Sequence, residues 1–350
     1  MAETYVAPPG PLADLAARIF VAAGTPEDLA AHVARHLVKA NLSGHDSHGV
    51  IRIPSYLRSI DEGRLVPAAR PEVVRECPAA AVVDGKRTFG QVAASFALDV
   101  AIEKAEAAGV GAASIRRCNH IGRLGDYAEA AAERGYIALV TSGSAGPSSG
   151  HAAPFGGAAR HLGTNPWSIG IPGKTTTPLV ADFATTVVAE GKLQVARAKR
   201  TPLPPGSIVD KEGRPTTSVE DFYAGGMILP AGGHKGSALS LVAALLGAGL
   251  TAEQPATGGR GGGVFVLAIN PRAFAEPEAY AGTIDNMAAA ARAVPPAPGF
   301  ERVLLPGEPE ALSRAERQQN GVPIPADTWH ALEAAAARFN VPLPEVAAQT

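Results

Sequence analysis

The sequence predicts an α/β fold, and three observations lead to that prediction. Segments typical of strands and helices alternate through the middle of the chain, from about residue 73 to residue 141. Helical patterns occupy both ends of the chain. Apolar residues make up 46% and charged residues 18% of the 350 residues, which is ordinary for a chain with two or three lobes around a substantial core.

The N-terminal region is predicted to be helical. An amphipathic stretch over residues 12–23 ends at Gly24. A second helix is predicted to begin at residues 25–28, with Thr25 as its N-cap, proline in the first turn and acidic residues at the positive end of the helix dipole. It ends near residues 43–44, and a third helix follows over residues 53–61.

The middle of the chain predicts strands and helices separated by glycine and proline. Strands are predicted over residues 73–74, 79–83, 110–115, 137–141, 166–171, 179–183 and 264–269, and helices over residues 89–108, 126–134 and 234–250. The proline-rich residues 201–225 predict a long loop. Helices return over residues 310–319 and 327–340.

Composition excludes several functional classes. A net charge of -2 argues against nucleic-acid binding, and no apolar run approaches the ~20 residues of a membrane span. The N-terminus lacks the basic and apolar regions of a signal peptide. Two cysteines, Cys77 and Cys118, are too few for a disulfide framework. We therefore expect a reduced cytoplasmic protein with neither a membrane nor a nucleic-acid partner.

Three short segments place histidines or cations beside glycines, where a ligand can approach the backbone closely. They are residues 44–52 (GHDSHGVIR), 118–123 (CNHIGR) and 232–236 (GGHKG). Imidazole exchanges protons near neutral pH, while arginine and lysine bind carboxylates and phosphates. Together the three segments predict an enzyme site for an anionic substrate and a phosphate-bearing cofactor.

Other interpretations of these residues are weaker. His32 and His36 lie four apart on a predicted helix, but no nearby acid or cysteine completes a zinc site, so we expect a structural role and no metal. Cys118 and His120 resemble a nucleophile pair only by spacing, and such pairs are normally assembled from distant segments.

The usual phosphate-binding motifs are absent from the sequence. It contains neither G-x-G-x-x-G nor G-x-x-x-x-G-K-[ST]. The glycine-rich residues 258–263 precede a predicted strand, which is the wrong order for a phosphate loop, and they predict a flexible loop. His234 and Lys235 open a predicted helix, whose free N–H groups and dipole favour an anion, so this is the best candidate for the pyrophosphate.

Further segments complete a recognisable order: residues 44–56, 89–91, 119–122, 154–157, 163–166, 181–185, 234–236 and 305–308. In this order they resemble the malate/L-lactate dehydrogenase family, whose nicotinamide-binding fold is not the Rossmann fold, and residues 40–56 look closest to its hydroxycarboxylate dehydrogenase subgroup. The resemblance implies a mixed-sheet cofactor lobe over residues 76–304 and a helical lobe built from residues 1–75 and 305–350. It also implies a homodimer with its active site at the subunit contact.

The activity that the resemblance implies is reversible hydride transfer between NAD or NADP and a 2-hydroxy or 2-oxo acid. His48 and His120 match the family's proton-transfer histidines, and Arg52 matches a substrate-carboxylate ligand. Asp182 completes the catalytic set, because it could hold the nearer imidazole. The implied cofactor contacts are His48, Gly122, Arg123, Leu124, Ser144, Val180, Ala181, Asp182, Phe183, Ala184, His234, Lys235, Gly307 and Glu308.

Some choices stay open at this stage. Placement after a buried strand favours His120 over His48 as the acid/base. His234 replaces a tyrosine that many members carry, and residues 142–145 replace the usual Thr-Asn-Ser stretch. A cyclic imine reductase and a non-catalytic cofactor-binding homologue remain alternatives, and the sequence does not choose between NAD and NADP.

Overall fold

The computed structural model describes residues 4–146, 150–174, 177–252 and 262–349. The described helices are α1 (Pro9–Ala22), α2 (Glu27–Leu42), α3 (Ile53–Asp61), α4 (Gly90–Ala108), α5 (Gly125–Glu133), α6 (Glu190–Lys199), α7 (Val219–Tyr223), α8 (His234–Ala244), α9 (Pro277–Arg292), α10 (Glu308–Asn320) and α11 (Ala326–Arg338). None of them is both long enough and apolar enough to cross a membrane.

The described strands form one large and two small sheets. They are β1 (Thr4–Ala7), β2 (Glu72–Cys77), β3 (Ala80–Asp84), β4 (Val110–Arg116), β5 (Ile137–Ser144), β6 (Trp167–Ile171), β7 (Leu179–Phe183), β8 (Ile208–Val209), β9 (Pro215–Thr216), β10 (Met227–Ile228), β11 (Gly262–Ile269), β12 (Val322–Pro325) and β13 (Ala347–Gln349). Most of the glycine-rich residues 258–263 lie outside the described residues, and the last two of them open β11.

The large sheet is mixed and has the order β2-β3-β4-β11-β5-β6-β7. β3 and β4 are parallel, joined through α4, and the other neighbouring pairs are antiparallel. β11 lies between β4 and β5, although it follows them by more than a hundred residues. This sheet confirms the predicted α/β class, and its antiparallel pairs distinguish it from the parallel dinucleotide-binding fold.

Both ends of the chain contribute to one hydrophobic core. Apolar faces of α1, α2, α3 and α11 meet there around Phe20, Leu37 and Trp329. Phe89 and Val92 join the same core, although they lie within residues 76–304. A second core lies between the large sheet and its helices, and a third joins α6, α7, β8 and β10. The division into lobes at residues 75 and 305 stays a prediction.

Several local predictions were wrong. β1 pairs with β12 and β13 in a sheet that joins the two chain ends, and neither it nor α6 and α9 was predicted. Residues 201–225 contain β8, β9 and α7 rather than an uninterrupted loop, because strands of two residues become stable only when tertiary contacts bury them. α8 stops at Ala244 and continues as a π-turn over Leu245–Gly249. Pro26, not Thr25, occupies the N-cap of α2.

Candidate active site

His48 and His120 meet where the helical core adjoins the large sheet. His120 follows β4, and the side-chain amide of Asn119 anchors this segment by donating to the carbonyl oxygens of Arg87 (2.8 Å) and Thr88 (2.9 Å). His48 ends a 3-10 turn over Asp46–His48 that follows α2. Residues 72 positions apart are therefore brought together by tertiary contacts.

The two imidazoles are in direct contact. His48 Nδ1 lies 3.2 Å from His120 Nε2, and the rings are stacked with centroids 5.2 Å apart and planes at 17°. The other nitrogen of His120, Nδ1, lies 2.7 Å from the hydroxyl of Tyr56. That hydroxyl in turn accepts a 2.9 Å hydrogen bond from Gln91 Nε2. The result is a continuous chain of four hydrogen-bonding side chains.

Both imidazoles are neutral at pH 7. Burial, and then the positive charge of Arg52, lower the pKa of His48 to about 3. Burial and then the charge of Arg52 also hold the pKa of His120 well below its ordinary value, and His48 acts in the same direction. The His120 ring lies against His48 and Tyr56, and the residue is exposed to solvent in the single chain. A neutral imidazole has one nitrogen that can accept a proton from a substrate hydroxyl.

Arg52 supplies a positive charge beside this pair. It ends a second 3-10 turn, Val50–Arg52, and its Nε donates to the carbonyl oxygen of Ser47 at 2.6 Å. No other hydrogen bond joins its guanidinium to the part of the chain that the structure describes. Because both terminal nitrogens are thus available, the guanidinium can bind a carboxylate through two parallel hydrogen bonds. The predicted substrate-binding role of Arg52 stays a prediction.

Asp182 has different partners from those predicted. Its Oδ2 accepts from the backbone N–H of Gly125 at 2.9 Å and lies 3.6 Å from Arg123 Nε. Burial raises the pKa of Asp182, although the positive charge of Arg123 opposes this rise. The hydrogen bonds described for His48 and His120 do not include Asp182, and the side chain that holds His120 is Tyr56. The expected role of Asp182 as the imidazole's partner is therefore replaced by that of an anchor for the loop before α5.

Arg123 is buried between carboxylates. Its side chain is 2% exposed, and Nη1 donates to Asp126 at 2.8 Å while Nε faces Asp182. Two anionic neighbours therefore neutralise its charge, and its predicted cofactor contact stays a prediction, as do those of Gly122 and Leu124. Gly122 has a φ of +76°, a conformation that strongly favours glycine. Its missing Cβ also leaves room for the side chain of Gln91.

β7 carries the next group of predicted cofactor residues, Val180 to Phe183. Near its first residues, the N–H of Val180 donates to the carbonyl oxygen of Pro306 at 3.1 Å, and a Cβ at Gly307 would lie 3.2 Å from the Val180 nitrogen. Glu308 accepts from the N–H of Leu305 and from Arg292 Nε, both at 2.7 Å. The side chain of Glu308 also lines a cavity of about 460 Å³ together with Thr177, Arg292, Arg302, Val303, Leu304, Ala311 and Leu312.

The start of α8 is packed close to the end of β7. A Cβ on Gly236 would lie 2.7 Å from the carbonyl oxygen of Thr185, which directly follows Ala184. Gly232 and Gly233 have φ values of +62° and +61° and lead into the exposed side chains of His234 and Lys235. Phe155 lies edge-on against the His234 ring at 6.0 Å.

Ser144 is tied to the same helix through one amide. Asn165 Oδ1 accepts from the N–H of Ser144 at 3.0 Å, and Asn165 Nδ2 donates to the carbonyl oxygen of Ser240 on α8 at 2.9 Å. Several of the predicted cofactor residues therefore lie along β7. Gly307 is packed near the first residues of this strand, and the start of α8 is packed near its end. Glycines, the N-terminus of α8 and an exposed lysine match the needs of a dinucleotide with two phosphates.

Tyr56 and Gln91 were not predicted as site residues. Both had a signal in the sequence, however. Tyr56 follows Arg52 by four positions, one helical turn, and Gln91 is a lone polar residue in an apolar run at the start of α4. A buried polar side chain in such a run needs a hydrogen-bond partner, and here the partner is the hydroxyl of Tyr56.

Comparison with known proteins agrees with the resemblance found in the sequence. The profile of the malate/L-lactate dehydrogenase family matches residues 9–333. Hydroxycarboxylate dehydrogenase B of Escherichia coli O157:H7 is 37% identical over 334 residues, which cover 93% of this chain and 91% of the relative. A Delta(1)-pyrroline-2-carboxylate/Delta(1)-piperideine-2-carboxylate reductase of Pseudomonas syringae pv. tomato is 36% identical, with 89% and 91% covered. The solved structure of sulfolactate dehydrogenase from Methanocaldococcus jannaschii superimposes with a TM-score of 0.89 at 33% identity, covering 97% of this chain and 98% of that one.

Proposed function

This chain belongs to the malate/L-lactate dehydrogenase family, and we propose that it transfers hydride reversibly between NAD or NADP and the α-carbon of a 2-hydroxy or 2-oxo acid. One observation carries the proposal beyond the family's general oxidoreductase chemistry. A pair of neutral, hydrogen-bonded imidazoles, His48 and His120, lies beside a guanidinium, Arg52, whose terminal nitrogens are available. Proton transfer and carboxylate binding are the two tasks that a 2-hydroxy acid substrate requires.

The residues divide these tasks between them. Arg52 binds the substrate carboxylate through two hydrogen bonds and so orients the α-carbon. One imidazole takes the hydroxyl proton during oxidation and returns it during reduction. The nicotinamide, when bound, supplies the hydride acceptor or donor. Because both imidazoles are neutral before substrate binds, the pair can receive a proton without first losing one.

The cofactor is proposed to lie along β7 and the start of α8. Lys235 and the N–H groups that open α8 would hold the pyrophosphate, with His234 beside them. Gly122, Leu124, Ser144, Ala184 and the turn at Gly307 and Glu308 would complete the contacts. Arg292, Arg302 and the acidic Glu308 line the same cavity. Because charges of both signs are present there, both NAD and NADP remain candidates.

A second candidate reaction is reduction of a cyclic imine carboxylate. The relative from Pseudomonas syringae is named for such substrates, and they carry the same carboxylate for Arg52. In this reaction the hydride would reach a C=N carbon, and the nitrogen would be protonated instead of an oxygen. A third hypothesis is that the chain is a non-catalytic homologue, and the presence of both histidines together with Arg52 weighs against it.

We also propose that the protein is a homodimer. The surface of α8 and the following turn exposes apolar side chains in the single chain, with Leu245 at 58% and Leu250 at 55% exposed, together with Leu239, Leu241 and Val242. Contiguous apolar surface of this kind is typical of a partner interface. A second copy is the proposed occupant, because α8 also begins with the cofactor residues that the resemblance puts near a subunit contact. Leu245→Asp is expected to give monomers in analytical ultracentrifugation, whereas Leu343→Asp, at another exposed leucine, should leave dimers.

A substrate panel tests the proposed reaction. NADH and NADPH oxidation is followed at the nicotinamide absorbance band with phenylpyruvate, glyoxylate, sulfopyruvate, oxaloacetate and piperideine-2-carboxylate. Turnover of a 2-oxo acid that disappears in His120→Asn and Arg52→Met supports the dehydrogenase. Turnover of the imine alone would identify the reductase instead. Cofactor binding without turnover of any compound would favour the hypothesis of a non-catalytic homologue.

A further inference from the structure

Tyr56 and Gln91 form a buried pair on the Nδ1 side of His120. Tyr56 is 6% exposed and Gln91 is fully buried. The Tyr56 ring packs against Phe20 and Phe89, with centroids 6.3 Å and 5.9 Å away, so its hydroxyl is held at a fixed position. Burial raises the pKa of Tyr56 to about 12, even though the hydrogen bond from Gln91 and the charge of Arg52 act in the opposite direction. The phenol therefore keeps its proton throughout the physiological pH range.

The direction of each hydrogen bond follows from the amide. Gln91 Nε2 carries only hydrogens toward its partner, so it donates to the Tyr56 oxygen. Tyr56 then has one proton to donate, and His120 Nδ1 is the acceptor at 2.7 Å. A neutral imidazole that accepts at Nδ1 carries its own proton on Nε2. Gln91 Oε1 has no hydrogen-bond partner among the described residues.

The proton on His120 Nε2 faces His48. His120 Nε2 lies 3.2 Å from His48 Nδ1, so the N–H of His120 points at an unprotonated nitrogen of His48. The titratable and charged side chains that face His120 are His48, Arg52 and Tyr56. Arg52 has no proton to exchange near neutral pH, so it does not change this order. The two facing ring nitrogens are therefore one N–H donor, on His120, and one lone pair, on His48, which bond to each other in the ligand-free protein.

We propose that Gln91 and Tyr56 are positioning residues that fix the proton of His120 on Nε2 and thereby give the two histidines different roles. When substrate binds, its oxygen replaces the direct hydrogen bond between the two rings, and the N–H of His120 donates to that oxygen. His48 Nδ1 would then be the base: during oxidation the substrate O–H bond breaks, a new N–H bond forms at His48 Nδ1, and the α-hydrogen would leave as hydride to the oxidised nicotinamide that the proposed function requires. The proposal rests on the hydride-transfer function above, and it assigns the proton acceptor that the sequence had left open.

The positions of the protons can be measured without any ligand. Long-range ¹H–¹⁵N NMR of ¹⁵N-histidine-labelled, cofactor-free protein at pH 7.5 distinguishes a protonated from an unprotonated ring nitrogen, and the spectra of His120→Asn and His48→Asn assign the signals. We expect the proton of His120 on Nε2. In Tyr56→Phe, which keeps the packing against Phe20 and Phe89, and in Gln91→Met, which keeps the volume, both tautomers of His120 should be populated.

Kinetics of the same variants give the second measurement. Tyr56→Phe and Gln91→Met should each lower kcat by about tenfold or more, with the cofactor Kd within twofold of the wild-type value. Tyr136→Phe is the matched control, because its buried ring donates a hydroxyl proton to Glu106 far from the site, and it should change neither the tautomer nor kcat.

Two outcomes would overturn the proposal. A wild-type spectrum with the proton of His120 on Nδ1 would mean that the Gln91 amide is reversed and accepts from Tyr56. Variants that fold, as judged by circular dichroism, and keep both the tautomer and kcat would show that the pair has no positioning role. Failure of the proposed function is a separate result, since absence of turnover with every substrate leaves the tautomer measurement intact.

Discussion

Replacement of Arg52 by lysine tests the proposed carboxylate site most directly. Lysine keeps the positive charge but offers a single ammonium point in place of a planar fork. In the structure Arg52 has a 2.6 Å bond from Nε to the carbonyl oxygen of Ser47, and its two terminal nitrogens are available. A lysine cannot keep the Ser47 contact and also bind both carboxylate oxygens. At least one charge-assisted hydrogen bond to the substrate is therefore lost.

The expected magnitude follows from that lost bond. A hydrogen bond to a charged group contributes about 1.5–3 kcal/mol. At about 1.36 kcal/mol per tenfold change in rate, kcat/KM for the preferred 2-oxo acid should fall about 10- to 160-fold in Arg52→Lys. The cofactor Kd, measured by titration calorimetry, should stay within about twofold, because no predicted cofactor contact involves this side chain.

A second variant separates binding from electrostatics. After burial, the charge of Arg52 is the largest influence that lowers the pKa of His48 and of His120. Arg52→Met removes that charge, so both pKa values should rise and the acidic limb of the pH–kcat/KM profile should move to higher pH. Arg52→Lys keeps the charge and should leave the limb in place. A loss below about threefold in Arg52→Lys, roughly 0.7 kcal/mol, would refute the carboxylate role.

Three further perturbations have defined outcomes. Lys235→Ala should weaken cofactor binding while the substrate KM, measured at saturating cofactor, stays nearly unchanged, and intact affinity in calorimetry would contradict the pyrophosphate assignment. The asparagine variants of His48 and His120 should each lose about 100-fold or more in kcat, and the ionisation in the pH–rate profile should disappear in the variant that lacks the base, His48 by the proposal above. Burial lowers the pKa of His32 to about 4, so the folded state excludes a proton that the unfolded chain binds below pH 6.5. The contribution of this group to stability is then present above pH 6.5 and is lost toward pH 4, and urea unfolding of His32→Gln at pH 7.5 and 5 should show a smaller difference than the wild type.

Much of the fold was predictable because its signals are local. The bounds of α3 and β7 agree with the predicted residues 53–61 and 179–183, and β4, β5 and β11 fall within two or three residues of their predictions. Apolar periodicity and flanking glycines define such elements over a window of about ten residues. Candidate site residues were also found locally, since histidines and cations beside glycines stand out in the sequence.

The sequence by itself determined the α/β class, the family resemblance and the identity of the charged and imidazole groups. Tertiary structure decided which of them touch. β1 pairs with β12 across more than 300 residues, and two-residue strands such as β8 exist only because neighbouring elements bury them. Asp182 looked like a partner for an imidazole, yet the folded chain gives it Arg123 and Gly125 and gives His120 a tyrosine instead. The physical reason is that periodicity reports which face of an element is buried, whereas a hydrogen bond depends on a separation of about 3 Å between atoms that the chain order leaves far apart.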